Sequence, residues 1–267
     1  MLKDLFYRVD PFFVGLALWV LVLVAEETGF RAMRTRRKGL EKVENADIAV
    51  LLGAVLTLLS LMLGFTYAMS QGRFETRRQL TIDEANAIGT AYLRAKTLPQ
   101  PQSSEIQEAL RRYAALRVEV SALKDPSRET IRKIDGRSKE LHDAMWSPAA
   151  ALAGQRTDPV VAIFYQALNE VFDLHAKRLA AFRDRVPFSV YLVLFGIVIG
   201  AFGLIGSYFA TRPRRMRGLT IIFAILVAAV MWLILDLDSP ARGSIRASQQ
   251  SLIDLQQDLG PPARDRD

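Results

Sequence analysis

Apolar and polar positions are segregated along this chain in long blocks. Four runs carry no charge: 11–25, 48–69, 186–211 and 219–235, with 15, 22, 26 and 17 residues. A helix needs about 20 apolar residues to cross the hydrocarbon core of a bilayer. The second and third runs meet that length and the fourth nearly does. The first is short, and gains Phe6 and Tyr7 only if Arg8 and Asp10 reach the interface. Its basic start (Lys3, Arg8) also suits a signal peptide. However, Leu23-Val24-Ala25-Glu26 is a poor cleavage site, and a basic cluster follows it as a stop-transfer flank. The pattern predicts an uncleaved helix.

The predicted architecture is all-α, with four transmembrane helices in two hairpins and a helical extramembrane domain between spans two and three. The first hairpin occupies 1–72, with spans at about 11–27 and 47–70. The helical domain covers 73–186. The second hairpin covers 187–235, with spans at about 187–210 and 218–235, and 236–267 is a polar C-terminal tail. In the 73–186 segment Ala, Leu, Arg, Gln and Glu dominate, and strand-like alternation is scarce. Span two is predicted to continue unbroken as a helix to Lys96, since no proline occurs before Pro99; Gly72 and Gly89 weaken that continuity without ending it. Ser104 with Gln107 reads as a capping box. Asp125-Pro126 and Asp158-Pro159 read as N-cap and first helical residue. Breaks are expected at 99–102, Asp125-Pro126, Ser147-Pro148 and 154–157. The last helix of the domain shows a stripe of Val161, Phe164, Leu168, Val171, His175 and Leu179, with Phe182 close behind. His175 on that stripe reads as a satisfied core histidine.

Composition sharpens this picture. The 51% hydrophobic and 24% charged residues would each suit a soluble domain, but they occupy different parts of the chain. The chain has 35 Lys and Arg against 28 Asp and Glu, a net charge of +7. Ten of the basic residues lie in two short loops: Arg31, Arg34, Arg36, Arg37, Lys38 and Lys42, then Arg212, Arg214, Arg215 and Arg217. Under the positive-inside rule both loops face the cytoplasm, which places 73–186 and both termini outside. Arg34, Arg36, Arg37, Arg214 and Arg215 act as topology anchors in this reading. Arg73, Arg77 and Arg78, with Lys177, Arg178, Arg183 and Arg185, form a competing signal. Basic residues that hug membrane boundaries fit lipid headgroups better than nucleic acid. Cysteine is absent, which excludes disulfides and thiolate chemistry. Two distant histidines, His142 and His175, make a histidine-rich metal site an unfavoured reading.

Three constellations are candidates for function. Gly196, Gly200, Gly203 and Ser207 share one face of span three. Close helix packing is the usual use of such spacing, and a conduit lining is the sharper reading. At the end of span two, Arg73, Arg77 and Glu84 stack at helical spacing, and Asp83, Asn86 and Thr90 share a face. These read either as a solvated face with ion pairs or as an ion-coordinating vestibule. At the end of span four stand Asp236 and Asp238, before Ser239-Pro240. They can bind a cation, pair with Arg73 or Arg77, or cap the turn. No P-loop, GxSxG, HExxH or GxGxxG motif occurs, and no charge lies inside the four runs. The pattern therefore supports neither an enzyme nor a proton relay through mid-membrane carboxylates.

Some of these segments resemble a known family. Gly64-Phe65-Thr66-Tyr67, Arg77-Arg78-Gln79-Leu80 and the string from Asp83 to Arg94, which contains EANAIGTAYLR, resemble the bestrophin-like bacterial membrane proteins. Leu235 to Pro240, Gly243 and Ser248-Gln249-Gln250 look like that family's second signature, and Asn169-Glu170 and Arg185-Val186-Pro187 fit as well. The resemblance covers most of 46–257. It implies distant similarity to bestrophins, which are oligomeric anion channels with a calcium-binding acidic cluster. It thus implies a homo-oligomer in the bacterial inner membrane, small inorganic ions as partners, no organic cofactor, and calcium by analogy alone. The chain shows no clear match to bestrophin pore or calcium residues. Bestrophins keep their large domain cytosolic, opposite to the charge-based orientation. The expected function is an ion channel or permeation pathway; the alternative is a non-conducting scaffold or sensor whose helical domain binds a partner.

Overall fold

The computed structural model describes residues 6–7, 9–36, 45–123, 127–153, 159–240 and 242–263. Among the described residues the chain is all-helical, with no strand. The helices are α1 (Pro11–Arg36), α2 (Asn45–Ala95), α3 (Gln102–Ala122), α4 (Arg128–Ala153), α5 (Pro159–Arg183), α6 (Phe188–Ala210), α7 (Arg217–Asp238) and α8 (Gln250–Leu259). Four segments are long and apolar enough to cross a membrane, and they contain the four apolar runs apart from Thr211 at the end of the third. The short first run gains its length at its C-terminal end. Asp10 accepts a hydrogen bond from the Phe12 amide (2.8 Å) and Pro11 opens the helix, so Phe6 and Tyr7 lie outside α1.

The chain divides into two compact units: Met1–Arg73 with Arg185–Ile245, and Phe74–Asp184 with Arg246–Asp267. The first contains the apolar runs. In it α1 packs against α6 and α7. Leu18, Val22, Leu59, Leu194, Val198, Phe202 and Met231 form its core. Phe6 and Tyr7 join a smaller cluster with Val186, Tyr191, Ile234 and Leu235.

In the second unit α3 packs against α4 and α8, and α4 against α5. Its core joins Ile88, Ala91 and Tyr92 of α2 to Ile106, Leu110 and Tyr113 of α3. Met145 and Ala149 of α4 and Phe164, Leu168 and Val171 of α5 complete it. Residues 246–263, expected as part of a polar tail, belong to this unit, and Leu252 and Leu259 of α8 are buried in its core.

Several expectations for helix ends are corrected. No capping box forms: α3 starts at Gln102, the Ser104 hydroxyl donates to Gln100 Oε1 (2.6 Å), and Gln107 Nε2 donates to the Ser103 hydroxyl (2.9 Å). The Ser147-Pro148 break does not occur, because α4 runs through Pro148. A helix-interior proline costs about 3 kcal/mol. Met145, Ala149 and Leu152 are buried on both sides of it, and their packing offsets that cost. The α5 stripe is buried from Val161 to Leu174, but Phe182 is 43% exposed. Arg37, Lys38, Lys42, Asp125-Pro126, Asp158 and 154–157 lie outside the described residues.

Candidate functional site

The second unit buries a polar cluster. Along α2 one face carries Thr81, Glu84, Ile88 and Ala91, all buried, at spacings of three and four. The Glu84 side chain is 0% exposed. Arg178 of α5 donates to its Oε2, Tyr113 of α3 donates to its Oε1 (2.8 Å), and Arg117 Nε of α3 lies 3.3 Å from that same atom. The Tyr113 hydroxyl also lies 3.0 Å from His175 Nδ1. His175 stacks edge-on with His142 of α4, their ring centroids 4.9 Å apart. Arg178 reaches Gln249 as well, at 3.3 Å.

The electrostatics follow from this geometry. Burial alone would raise the Glu84 carboxyl, but Arg117 and Arg178 outweigh it and hold it below the usual carboxylate range. Burial first, then the charge on Glu84, pushes the Tyr113 hydroxyl far up, so it stays a donor. Burial first, then the facing His175, lowers His142 to about 4. Burial and Arg117 lower His175. Two guanidiniums thus face one carboxylate, with both imidazoles neutral.

In the first unit each acidic side chain of span four has internal partners. Asp236 Oδ1 accepts from the Ser244 amide (2.8 Å), and its Oδ2 accepts from the Ser244 hydroxyl (3.0 Å) and the Ile245 amide (2.8 Å). This holds the turn after α7 and requires Gly243, where a Cβ would lie 2.5 Å from the Asp236 carbonyl oxygen. Asp238 accepts from the Val186 amide (3.0 Å) and the Tyr191 hydroxyl (3.1 Å), tying the end of α7 to the start of α6.

The sequence-selected residues are divided by the fold. Glu84 enters the core, Asp83 is half-buried and accepts from Gln79 Nε2 (2.9 Å), and Asn86 is exposed. Arg73 is half-buried and Arg77 is buried. On α6, Gly203 and Ser207 face α1, and the Ser207 hydroxyl reaches the Gly29 carbonyl (3.3 Å). Gly196 and Gly200 are exposed, with nothing within 4 Å of a Cβ built on either. The tightest approach is at Gly206 and Gly29, which the sequence spacing missed; a Cβ on Gly206 would overlap the Glu26 carbonyl, and one on Gly29 the Gly203 carbonyl. Arg34 and Arg214 are exposed, and Arg215 is nearly buried. The side chains of Arg36 and Arg37 lie outside the described set. Tyr113, Arg117, Arg178 and His142 were also missed. Their available signal was polar side chains recurring on otherwise apolar helix faces. Among the described residues no group of three or more His, Asp or Glu is arranged to hold a metal ion.

The helical arrangement is shared with known proteins. The bestrophin-like domain matches residues 15–252. The chain belongs to the bestrophin-like family. Similar solved structures include two mutant forms of a bacterial bestrophin homologue from Klebsiella pneumoniae. One has 15% identity, covers 91% of this chain and 97% of that chain, and has a TM-score of 0.66. The other has 13% identity, covers 94% and 97%, and has a TM-score of 0.68. Another structure of that homologue has 15% identity over 93% and 96%, with a TM-score of 0.64. At these identities the likeness shows the fold. No curated protein matches the sequence. Family, fold and the four apolar helices together make this bestrophin-like chain a membrane protein.

Proposed function

We propose that this bestrophin-like chain is one subunit of a homo-oligomeric pathway for small inorganic ions across the bacterial inner membrane, and that it has no enzymatic activity. The observation that carries the reading is the exposure of α2. Its most apolar window is only 6% buried, against 39% for α7. Val50, Leu51, Leu58, Leu61 and Phe65 stand open. A helix so little covered by its own chain is suited to line an interface between copies as well as to face lipid. Exposed Gly196 and Gly200 on α6 supply a second surface for close approach or for a conduit wall. The short basic loops face the cytoplasm in this proposal.

Ion flux from liposomes holding the purified protein tests the pathway. Flux above empty liposomes is expected, measured with calcium present and absent and across pH. No excess flux under any of these conditions would overturn it. The second reading, a non-conducting scaffold or sensor, is favoured by one observation: Glu84, Asp236 and Asp238 are engaged by internal donors. It predicts no flux together with a stably co-purifying protein.

A further inference from the structure

We infer that the arginine-rich end of α1, α6 and α7 is a binding site for the phosphate headgroup of an acidic phospholipid. Three apolar helices of the first unit end or begin here, and their loops carry charge of one sign in excess. Within α1 and the stretch from the end of α6 to Arg217, the described Arg31, Arg34, Arg212, Arg214, Arg215 and Arg217 outnumber the acids Glu26 and Glu27.

Both carboxylates are engaged by one largely covered partner. Arg215 lies 2.6 Å from Glu26 Oε2 and 2.7 Å from Glu27 Oε2, and its guanidinium sits 4.1 Å from the centroid of the Phe30 ring. This lock fixes the loop after α6 onto α1 and leaves the remaining arginines in excess. Arg31 reaches Glu27 with its side chain 76% exposed, and Arg217 approaches it at 3.8 Å while 69% exposed. Exposed pairs of this kind yield readily to a stronger anion. Arg34 lies 6.0 Å from the centroid of that same Phe30 ring. Arg212 donates to the Tyr208 hydroxyl and stands 4.9 Å from its ring centroid. Aromatic support reduces the freedom these guanidiniums lose on binding, and a guanidinium grips phosphate oxygens in a bidentate way.

The occupant is a lipid because of what lies beside the charges. Met216, Leu219 and Ile222 are 54%, 58% and 55% exposed. They continue directly from the arginines down the apolar surface of α7. A free phosphate would use the guanidiniums and leave this surface bare. A phospholipid uses both, with its headgroup at the level where basic residues meet the bilayer interface.

The test uses the purified full chain, delipidated in detergent and titrated with phosphatidylglycerol or phosphatidylcholine, with bound lipid counted by native mass spectrometry. Preferential retention of phosphatidylglycerol is expected, weakening as sodium chloride is raised. The triple variant Arg34→Gln, Arg212→Gln, Arg214→Gln leaves the Arg215 lock intact. It is expected to retain the acidic lipid about a hundred-fold less, on the scale of about one kcal/mol of attraction per surface arginine. Lys133→Gln in α4 is expected to bind as the unaltered chain does. Equal retention of the two lipids by the unaltered protein, or an unchanged triple variant, would overturn the inference. So would displacement of the lipid by millimolar inorganic phosphate, which would assign the site to the free anion. The lipid comparison and its salt dependence use the unaltered chain, so a variant that fails to fold leaves the test intact.

Discussion

At the scale of single residues, Glu84 shows how burial changes the meaning of a charge. Exposed on α2, it would be one more member of a solvated helix face. Buried against Arg117 and Arg178, it is the anion that makes two guanidiniums tolerable in a core. Replacing it by Gln leaves both arginines without a counter-charge. The expected loss is about 3–5 kcal/mol, the usual cost of breaking a buried ion pair from one side. Trp146 lies beside Tyr165 and Phe172, so with Trp19 and Trp232 of the first unit replaced by Phe its fluorescence during denaturation reads this unit. The exposed pair Glu119–Arg137 is the control: Glu119→Gln is expected to cost less than about 1 kcal/mol, although each arginine involved sits on a carboxylate. Equal losses in the two variants would refute this account of the cluster.

His142 makes the cluster sensitive to acid. It faces Tyr113 and Phe172 through ring contacts and feels the charges of His175, Arg117, Glu84 and Asp143. Its folded pKa, about 4, lies below the ordinary 6.5, so the unfolded chain takes up the proton first. Its contribution to stability is complete above pH 6.5 and declines as pH falls towards about 4. Melting followed by Trp146 fluorescence, with Trp19 and Trp232 again replaced by Phe, should therefore move to lower temperature between pH 7 and pH 4.5. In His142→Phe that dependence should shrink, and an unchanged pH profile would remove His142 from the explanation.

At the scale of elements, α6 carries two kinds of glycine that its sequence does not distinguish. Gly206 stands where α1 and α6 backbones meet, whereas Gly200 faces open space. Gly206→Leu should disrupt the first unit by more than about 3 kcal/mol, because the obstruction is backbone and cannot rotate away. Gly200→Leu should leave the helical signal and detergent behaviour of the single chain unchanged. If Gly200 lines a conduit, that substitution lowers flux without lowering expression. Helix α2 gives a sharper assay of assembly. The chain has no cysteine, so a single cysteine at Leu58, Leu61 or Phe65 cannot form an intrachain disulfide, and a cross-linked product of twice the chain mass reports a second copy. Disulfide dimers at some of these positions in membranes are expected, and none at any of them would separate α2 from the interface.

At the scale of the whole molecule, the prediction concerns sidedness. Reporter fusions after Asp125 and after Arg215 should show the fusion at Arg215 cytoplasmic and that at Asp125 outside. Activity of a periplasm-only reporter at Arg215 alone would reverse the orientation and align this chain with the cytosolic large domain that its family resemblance implies. Lipid binding at the arginines is expected in either orientation, because the inference rests on their surplus charge and apolar neighbours and not on a leaflet.

Much of the scaffold was legible because it is dictated by local composition. Uncharged runs of about 20 residues have one inexpensive fate in a bilayer, and the lack of proline before Pro99 lets α2 run from its span into the second unit. Helix ends were less legible at Ser104 and Pro148, since packing around Ser103 and Met145 outweighed local preference. The sequence by itself determined an all-α membrane chain with basic short loops and a charged helix after span two. Only the tertiary structure decided which of those charges face water. Partners for Glu84 come from α3 and α5, those for Asp238 from the start of α6, and the one for Glu26 from the loop after α6. Each of these pairs is separated along the chain by many residues. Helical periodicity tells which residues share a face, but not which distant segment will cover it.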